Sequence, residues 1–156
     1  MKKINSIIFL ALIAFASCVK NSSIDCSPVS VNVPTTEVDS LKAYLDSAGI
    51  TATEDPRGFF YSITTPGSGT KPTVCNTVTV NYKGTFTNGA QFEADSNVTY
   101  NLNALITGWQ EGIPLIGSGG TIKLYIPPSL AYGSNQVGSI PPNSYLIFDI
   151  DLTKVQ

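Results

Sequence analysis

Polar and apolar residues alternate one by one over much of the chain from Phe59 onward, the two-residue period of a half-buried strand. Phe59-Phe60-Tyr61-Ser62-Ile63-Thr64 is predicted as a strand stopped by Pro66-Gly67-Ser68-Gly69. Val78, Val80 and Tyr82 alternate with Thr79, Asn81 and Lys83 in a second strand that pauses at Gly84. Asn88-Gly89 is a strong hairpin signal and leads into Gln91-Phe92-Glu93. Gly117-Ser118-Gly119-Gly120 turns the chain into Thr121-Ile122-Lys123-Leu124-Tyr125-Ile126. In residues 145–155, Leu146, Phe148, Ile150 and Leu152 fall on one face, with Asp149 and Asp151 on the other. Strands that alternate in this way have one apolar and one wet face, the pattern of an antiparallel sheet.

Two stretches carry a helical period instead. Thr36-Glu37-Val38-Asp39 is a capping-box-like start with an acidic first turn; Val38, Leu41, Leu45 and Ala48 then share a face, and Gly49 stands at the C′ position. This predicts a packing helix over 37–48. In Ala104-Leu105-Ile106-Thr107-Gly108-Trp109-Gln110-Glu111-Gly112-Ile113, Thr107 and Gln110 have capping-box spacing. A helix starting at Thr107 puts Trp109, the only tryptophan, and Ile113 on one face. Gly108, Gly112 and Pro114 hold it to about two turns, which have no stability of their own in water, so the strands must wrap around it. The predicted fold is α+β: a twisted antiparallel β-sheet wrapped around one short helix, with an additional N-terminal helix.

A length of 156 residues with 42% hydrophobic residues suffices for one domain and its core. A formal net charge of −2 without a basic cluster argues against a nucleic-acid partner. Histidine is absent, which removes Ser-His and Cys-His nucleophilic catalysis, imidazole acid–base chemistry and the commonest metal ligand. Met1-Lys2-Lys3 is a basic start, and residues 7–16 are an apolar run of signal-peptide length, too short for a comfortable membrane span. Phe15-Ala16-Ser17-Cys18 resembles the lipobox of bacterial lipoproteins, with Phe15 in place of the usual Leu. On that resemblance residues 1–17 are a signal peptide and Cys18 is lipidated; an ordinary signal peptide cut nearby is the alternative. Residues 18–34 are then a lipid-anchored tether, 35–56 the N-terminal helix and a linker, and 57–156 the main domain. Of the remaining cysteines, Cys26 and Cys75, the common outcome in an exported chain is pairing; two free thiols are the alternative.

Six segments, in order, resemble the FKBP-type peptidyl-prolyl cis-trans isomerases: Val80-Asn81-Tyr82-Lys83-Gly84, Asn88-Gly89-Ala90-Gln91-Phe92, Leu105-Ile106-Thr107-Gly108-Trp109-Gln110-Glu111-Gly112, Ile126-Pro127-Pro128-Ser129-Leu130-Ala131-Tyr132-Gly133, Ile140-Pro141-Pro142-Asn143 and Leu146-Ile147-Phe148-Asp149-Ile150. The resemblance runs over roughly residues 59–155. It implies a proline-binding pocket with Trp109 as floor and Tyr82, Phe92 and Phe148 as aromatic walls. Leu105 and Ile106 become the rim, with the Ile106 N–H donating to a substrate carbonyl; Tyr132 brings a hydroxyl from the loop side, which Ile140 closes. Each aromatic also has a plain reading as core packing.

Departures from the family pattern bear on substrate preference, macrolide affinity and rate. Glu93 stands where many members carry aspartate, with Asp95 as a nearby substitute; Val98 or Tyr100 stands about where single-domain eukaryotic members carry phenylalanine. Gln136 and Val137 occupy a loop position often aromatic or His in relatives. The implied activity is isomerisation of X-Pro bonds by a monomer in the bacterial cell envelope, assisting the folding of exported proteins without cofactor or metal. Proline-containing polypeptides are the implied partners, and macrolide inhibitors further ligands of the pocket. A non-catalytic FKBP-like binding or chaperone module is the alternative.

Overall fold

The computed structural model describes residues 26–27 and 29–156; the expected signal peptide over 1–17 and the expected lipidation at Cys18 lie outside them. Helix α1 (Thr35–Ser47) precedes strands β1 (Thr53–Asp55), β2 (Phe59–Thr65), β3 (Thr77–Phe86) and β4 (Gln91–Asn101). Helix α2 (Thr107–Gly112) follows, then β5 (Gly120–Ile126) and β6 (Leu146–Val155). All six strands form one antiparallel sheet in the order β1-β2-β5-β6-β3-β4. Among the described residues no helix is long and apolar enough to cross a membrane.

The alternating residues of β3, β5 and β6 meet in register, Val80 opposite Leu152 and Ile122 opposite Ile150, and bury their apolar face around α2. Gly108 and Gly112 do more than shorten that helix. A Cβ on Gly108 would stand 2.7 Å from Ile126 Cδ1, and one on Gly112 2.6 Å from Leu124 Cδ1. Both partners are fully buried, so the absence of a side chain is what lets α2 lie on β5.

Three expectations change in the structure. The outer face of β2, β5 and β6 is wet only in part: Leu41 and Leu45 of α1 cover Phe60, Tyr125 and Ile147 in a second apolar cluster, while Asp151 and the Lys123–Asp149 pair remain on the solvent side. Along α1 the predicted stripe loses Ala48, which is exposed, and Ile50 beyond the helix packs in its place. Neither capping box forms. Pro34 is the N-cap of α1 and Ile106 that of α2, and neither has a side-chain cap. The Glu37 carboxylate instead accepts two hydrogen bonds from Ser129, and Gln110 Nε2 donates to the Leu105 and Asn103 carbonyls at 2.7 and 3.4 Å. Glu37 thus finds its partner 92 residues away, and Gln110 finds its partners in the turn just before its own helix. The other end of α1 is as predicted: Gly49 takes φ +66°, its N–H donates to Asp46 O and the Ile50 N–H to Leu45 O, which closes a Schellman motif.

The Asn88-Gly89 turn forms, with Gly89 at φ +83° and the Asn88 carboxamide accepting from the Ala90 N–H. Strand β4 then runs eight residues past Glu93. Its polar sequence hides a strand at the sheet edge, bulged at Asn97, whose N–H donates to Asn81 Oδ1 at 2.8 Å.

The stretch assigned to the tether is joined to the domain. Cys26 and Cys75 are bonded, with Cα atoms 5.1 Å apart, and Val31 and Val33 pack on the main core. Gly58, at φ +94°, leaves the space that Val33 occupies. The bond closes a loop of 49 residues, for which chain entropy gives an upper figure of ~4 kcal/mol. The double substitution Cys26→Ser and Cys75→Ser is therefore expected to lower the unfolding free energy by up to that amount in urea titrations. An unchanged midpoint would show that the bond adds nothing to the stability of the folded domain.

Candidate functional site

A cavity of about 230 Å³ opens between α2, the loop before it, β4 and the segment after β5. Its floor is Trp109, buried to 4% exposure because α2 presses it against the sheet. The Tyr82 and Phe148 rings stand around it, each centred 5.2 Å from Trp109, Tyr82 at 84° and Phe148 at 88° to the indole. Edge-to-face packing of this kind adds to the hydrophobic gain and fixes the ring planes.

Leu105, Ile106 and Ala104 form the rim from the turn before α2. Gln110 holds that rim in place, since its carboxamide, buried beneath it, ties down the Leu105 carbonyl. The Ile106 carbonyl is taken by the Trp109 and Gln110 N–H groups. Trp109 Nε1 is buried with no hydrogen-bond partner among the described residues.

The remaining wall is polar. Tyr82, Tyr100, Tyr132 and Glu93 all border the cavity, and Glu93 is the one charged group among its described lining residues. Burial, then hydrogen bonding with Tyr100 and Glu93, pushes the Tyr82 hydroxyl well above the usual phenol range. Burial also raises Tyr132, with Glu93 and Tyr100 adding to the shift. Both hydroxyls therefore keep their protons at neutral pH and remain donors.

Eight of the ten pocket residues inferred from family resemblance border this cavity: Tyr82, Glu93, Tyr100, Leu105, Ile106, Trp109, Tyr132 and Phe148. Phe92 and Ile140 do not. Phe92 stands behind Phe148, ring centroids 5.5 Å apart at 86°, and leans on Phe86. Gly84 makes room for it, because a Cβ there would come within 2.5 Å of Phe92 Cζ and 3.1 Å of Phe148 Cε1. Ile140 is buried in the main core and pairs with Val137 across its own loop. Asp95 sits on the exposed part of β4, where its carboxylate accepts from the Ser96 N–H, and it is Glu93 that reaches the cavity. Tyr100 takes the lining position, while Val98 packs on the core. Ala104 and the bracing role of Gln110 carry no sequence signal, since an alanine in a turn and a glutamine in a helix are both ordinary.

Three comparisons with known proteins bear on this site. The family described as FKBP-type peptidyl-prolyl cis-trans isomerase matches residues 68–153. The chain is 40% identical over 121 residues to the FKBP-type peptidyl-prolyl cis-trans isomerase FkpA of Buchnera aphidicola subsp. Schizaphis graminum, covering 74% of this chain and 47% of the relative. It is 44% identical over 103 residues to FkpA of Escherichia coli strain K12, covering 64% and 38%. The chain thus spans less than half the length of these relatives. Among solved structures it is similar to FkpA from Escherichia coli, with TM-score 0.71, 37% identity and coverage of 78% of this chain and 60% of that one. It is also similar to a peptidyl-prolyl cis-trans isomerase from Pseudomonas syringae pv. tomato, with TM-score 0.68, 27% identity and coverage of 81% and 98%.

Behind the floor, Glu111 of α2 is buried to 3% exposure and its Oε2 has no hydrogen-bond partner among the described residues. Nearby, Arg57 forms a pair with Asp55, Nε to Oδ1 at 2.7 Å and Nη2 to Oδ2 at 2.8 Å, while its guanidinium lies 5.2 Å from the Phe59 ring centre. Burial pushes Glu111 up to about 7 against the pull of Arg57. A carboxyl raised in this way keeps its proton in the fold after the unfolded chain has lost it. Its contribution to stability is full below the unfolded value of about 4.3 and is lost as pH rises to about 7. Unfolding free energy is expected to fall by ~3 kcal/mol over that window, and Glu111→Gln to remove this part of the fall. Urea titrations at about pH 5 and about pH 8 measure it; an identical pH dependence in both proteins would mean that Glu111 is ionised in the fold.

Proposed function

This chain belongs to the FKBP-type peptidyl-prolyl cis-trans isomerase family, and from that membership we propose that it accelerates cis–trans isomerisation of X-Pro bonds in proline-containing polypeptides. The observation that carries the reading is the aromatic cage, Trp109 with Tyr82 and Phe148 edge-on at 5.2 Å. An X-Pro amide turns over a barrier of ~18–20 kcal/mol without breaking a bond, so the reaction needs neither nucleophile nor general base. At the twisted midpoint the amide loses resonance and part of its charge separation. An aromatic cavity opposes that loss less than water does.

In this proposal proline sits on Trp109 between Tyr82 and Phe148. The Ile106 N–H and the Tyr132 hydroxyl donate to carbonyls on either side and favour the twisted geometry over both planar ones. Glu93 and Tyr100 orient the Tyr82 hydroxyl, while Phe92 and Ile140 support the walls and loop from behind. The apolar rim of Leu105 and Ile106 favours an apolar residue before proline. The same cavity is the proposed site for macrolide inhibitors, and the proposed working unit is a monomer.

We place this activity in a bacterial cell envelope, on a mature chain that begins at an acylated Cys18 and helps exported proteins fold. The basic start, the apolar run and the lipobox-like Ala16-Ser17-Cys18 support that address. Mass spectrometry of membrane-extracted protein is expected to find the acylated N-terminal cysteine. A soluble, unmodified chain beginning at another residue would remove the anchor from the proposal.

The catalytic reading is tested with a proline tetrapeptide and a protein whose refolding is limited by proline. Tyr132→Phe removes one hydrogen bond, worth ~1 kcal/mol net, and is expected to lower kcat/KM roughly fivefold with the fold intact. If the folded wild-type protein at micromolar concentration leaves both rates at their uncatalysed values, the non-catalytic binding module takes the place of the enzyme.

A further inference from the structure

Glu37 acts outside its own helix. Its Oε2 accepts the Ser129 backbone N–H at 2.9 Å and its Oε1 the Ser129 hydroxyl at 2.8 Å, from 92 residues away in sequence. Ser129 is the middle residue of the helical turn Pro128–Leu130. The backbone closes on itself there, since the Ala131 and Gly133 N–H groups both donate to the Pro128 carbonyl at 2.9 Å. Tyr132, the hydroxyl-bearing wall of the cavity, lies between those two residues. On its far side the Gly133 carbonyl accepts from the Asn143 N–H at 2.7 Å. The segment that aims Tyr132 is thus clamped at both ends, and one clamp comes from α1.

The α1 end of the clamp is rigid. Leu41 and Leu45 are 1% and 3% exposed and seat the helix on Phe60, Tyr125 and Ile147, so Glu37 is fixed relative to the sheet. A carboxylate gripping one residue with two hydrogen bonds sets orientation as well as distance. Helix α1 lies outside the matched residues 68–153, so one arm of the clamp comes from a segment N-terminal to them.

We infer that Glu37 is a positioning residue for Tyr132: through Ser129 it sets where the Tyr132 hydroxyl points into the cavity. The kinetic part of the inference rests on the isomerase reading. Because a misplaced hydroxyl is missed chiefly at the twisted geometry, the loss belongs in kcat, with KM little changed.

The experiment uses the wild-type chain, Glu37→Ala, Glu37→Gln, Tyr132→Phe and the double variant Glu37→Ala with Tyr132→Phe. Alanine suits a helix, so the first variant keeps α1. Glu37→Ala is expected to lower kcat about three- to tenfold, and Glu37→Gln, which keeps the reach and one acceptor oxygen, to restore part of it. In the Tyr132→Phe background, Glu37→Ala is expected to cost nothing more. Amide hydrogen exchange at Ser129, Ala131 and Gly133 is expected to quicken in Glu37→Ala, with the amides of β3 unchanged. An unchanged kcat in a Glu37→Ala protein of lowered melting temperature, or losses that multiply in the double variant, would overturn the inference. If the wild type itself does not accelerate isomerisation, the proposed function falls and the exchange measurement alone decides. Unaltered exchange at those three amides would then overturn the positioning role as well.

Discussion

Everything in this fold depends on how closely a six-residue helix approaches a sheet. Helix α2 is too short to form by itself, and its backbone settles on β5 because Gly108 and Gly112 present no side chains to Ile126 and Leu124. The contact buries Ile113 completely and leaves Trp109 4% exposed, so the floor of the cavity is held by the main core itself. A floor built in this way cannot drift relative to Tyr82 and Phe148, whose strands pair directly with one another in β3 and β6. The aromatic cage is therefore rigid for the same reason that the domain is stable.

The second apolar cluster changes what the N-terminal part of the chain does. An antiparallel sheet can leave one face in water, but here Phe60, Tyr125 and Ile147 give β2, β5 and β6 an apolar outer face as well. Helix α1 covers it, the Cys26–Cys75 bond and Val31 and Val33 fasten the preceding segment, and Glu37 reaches round to the turn beside the cavity. Segments outside the family's matched residues thus contribute to both stability and the site.

The cavity combines two kinds of wall for two purposes. Trp109, Phe148 and the Leu105–Ile106 rim exclude water from an apolar ring, whereas Tyr82, Tyr100, Tyr132 and Glu93 offer hydrogen bonds at one side. Burial and the neighbouring carboxylate raise the Tyr82 and Tyr132 hydroxyls, so the polar side of the cavity keeps its protons at neutral pH. That division suits a reaction in which a bond rotates and none breaks.

Strands β2, β3, β5 and β6, the Gly49 helix end, the Asn88-Gly89 turn and the short helix at Trp109 were legible in the sequence, because each rests on side-chain period or on local backbone sterics, whereas the three-residue β1 lies in a stretch that reads as linker. Family resemblance added most of the cavity residues, since their order along the chain carries the pattern. What neither supplied was the choice of partner made by side chains with several options. Thr36 and Thr107 promised capping boxes, yet neither forms; Glu37 bonds to Ser129 across the fold, and Gln110 reaches back to the Leu105 carbonyl before its own helix. Phe92 has the composition of a pocket wall and became a support, because the space over Gly84 is open to its ring. The outer half of β4 is hard to read because the exposed polar run Asp95-Ser96-Asn97, bulged at the sheet edge, interrupts the alternation before Val98 and Tyr100 resume it. Period and turn chemistry act over a few residues, and so the sequence alone determines them. The competition among distant hydrogen-bond partners and packing spaces has no local signature, and the tertiary structure decides it.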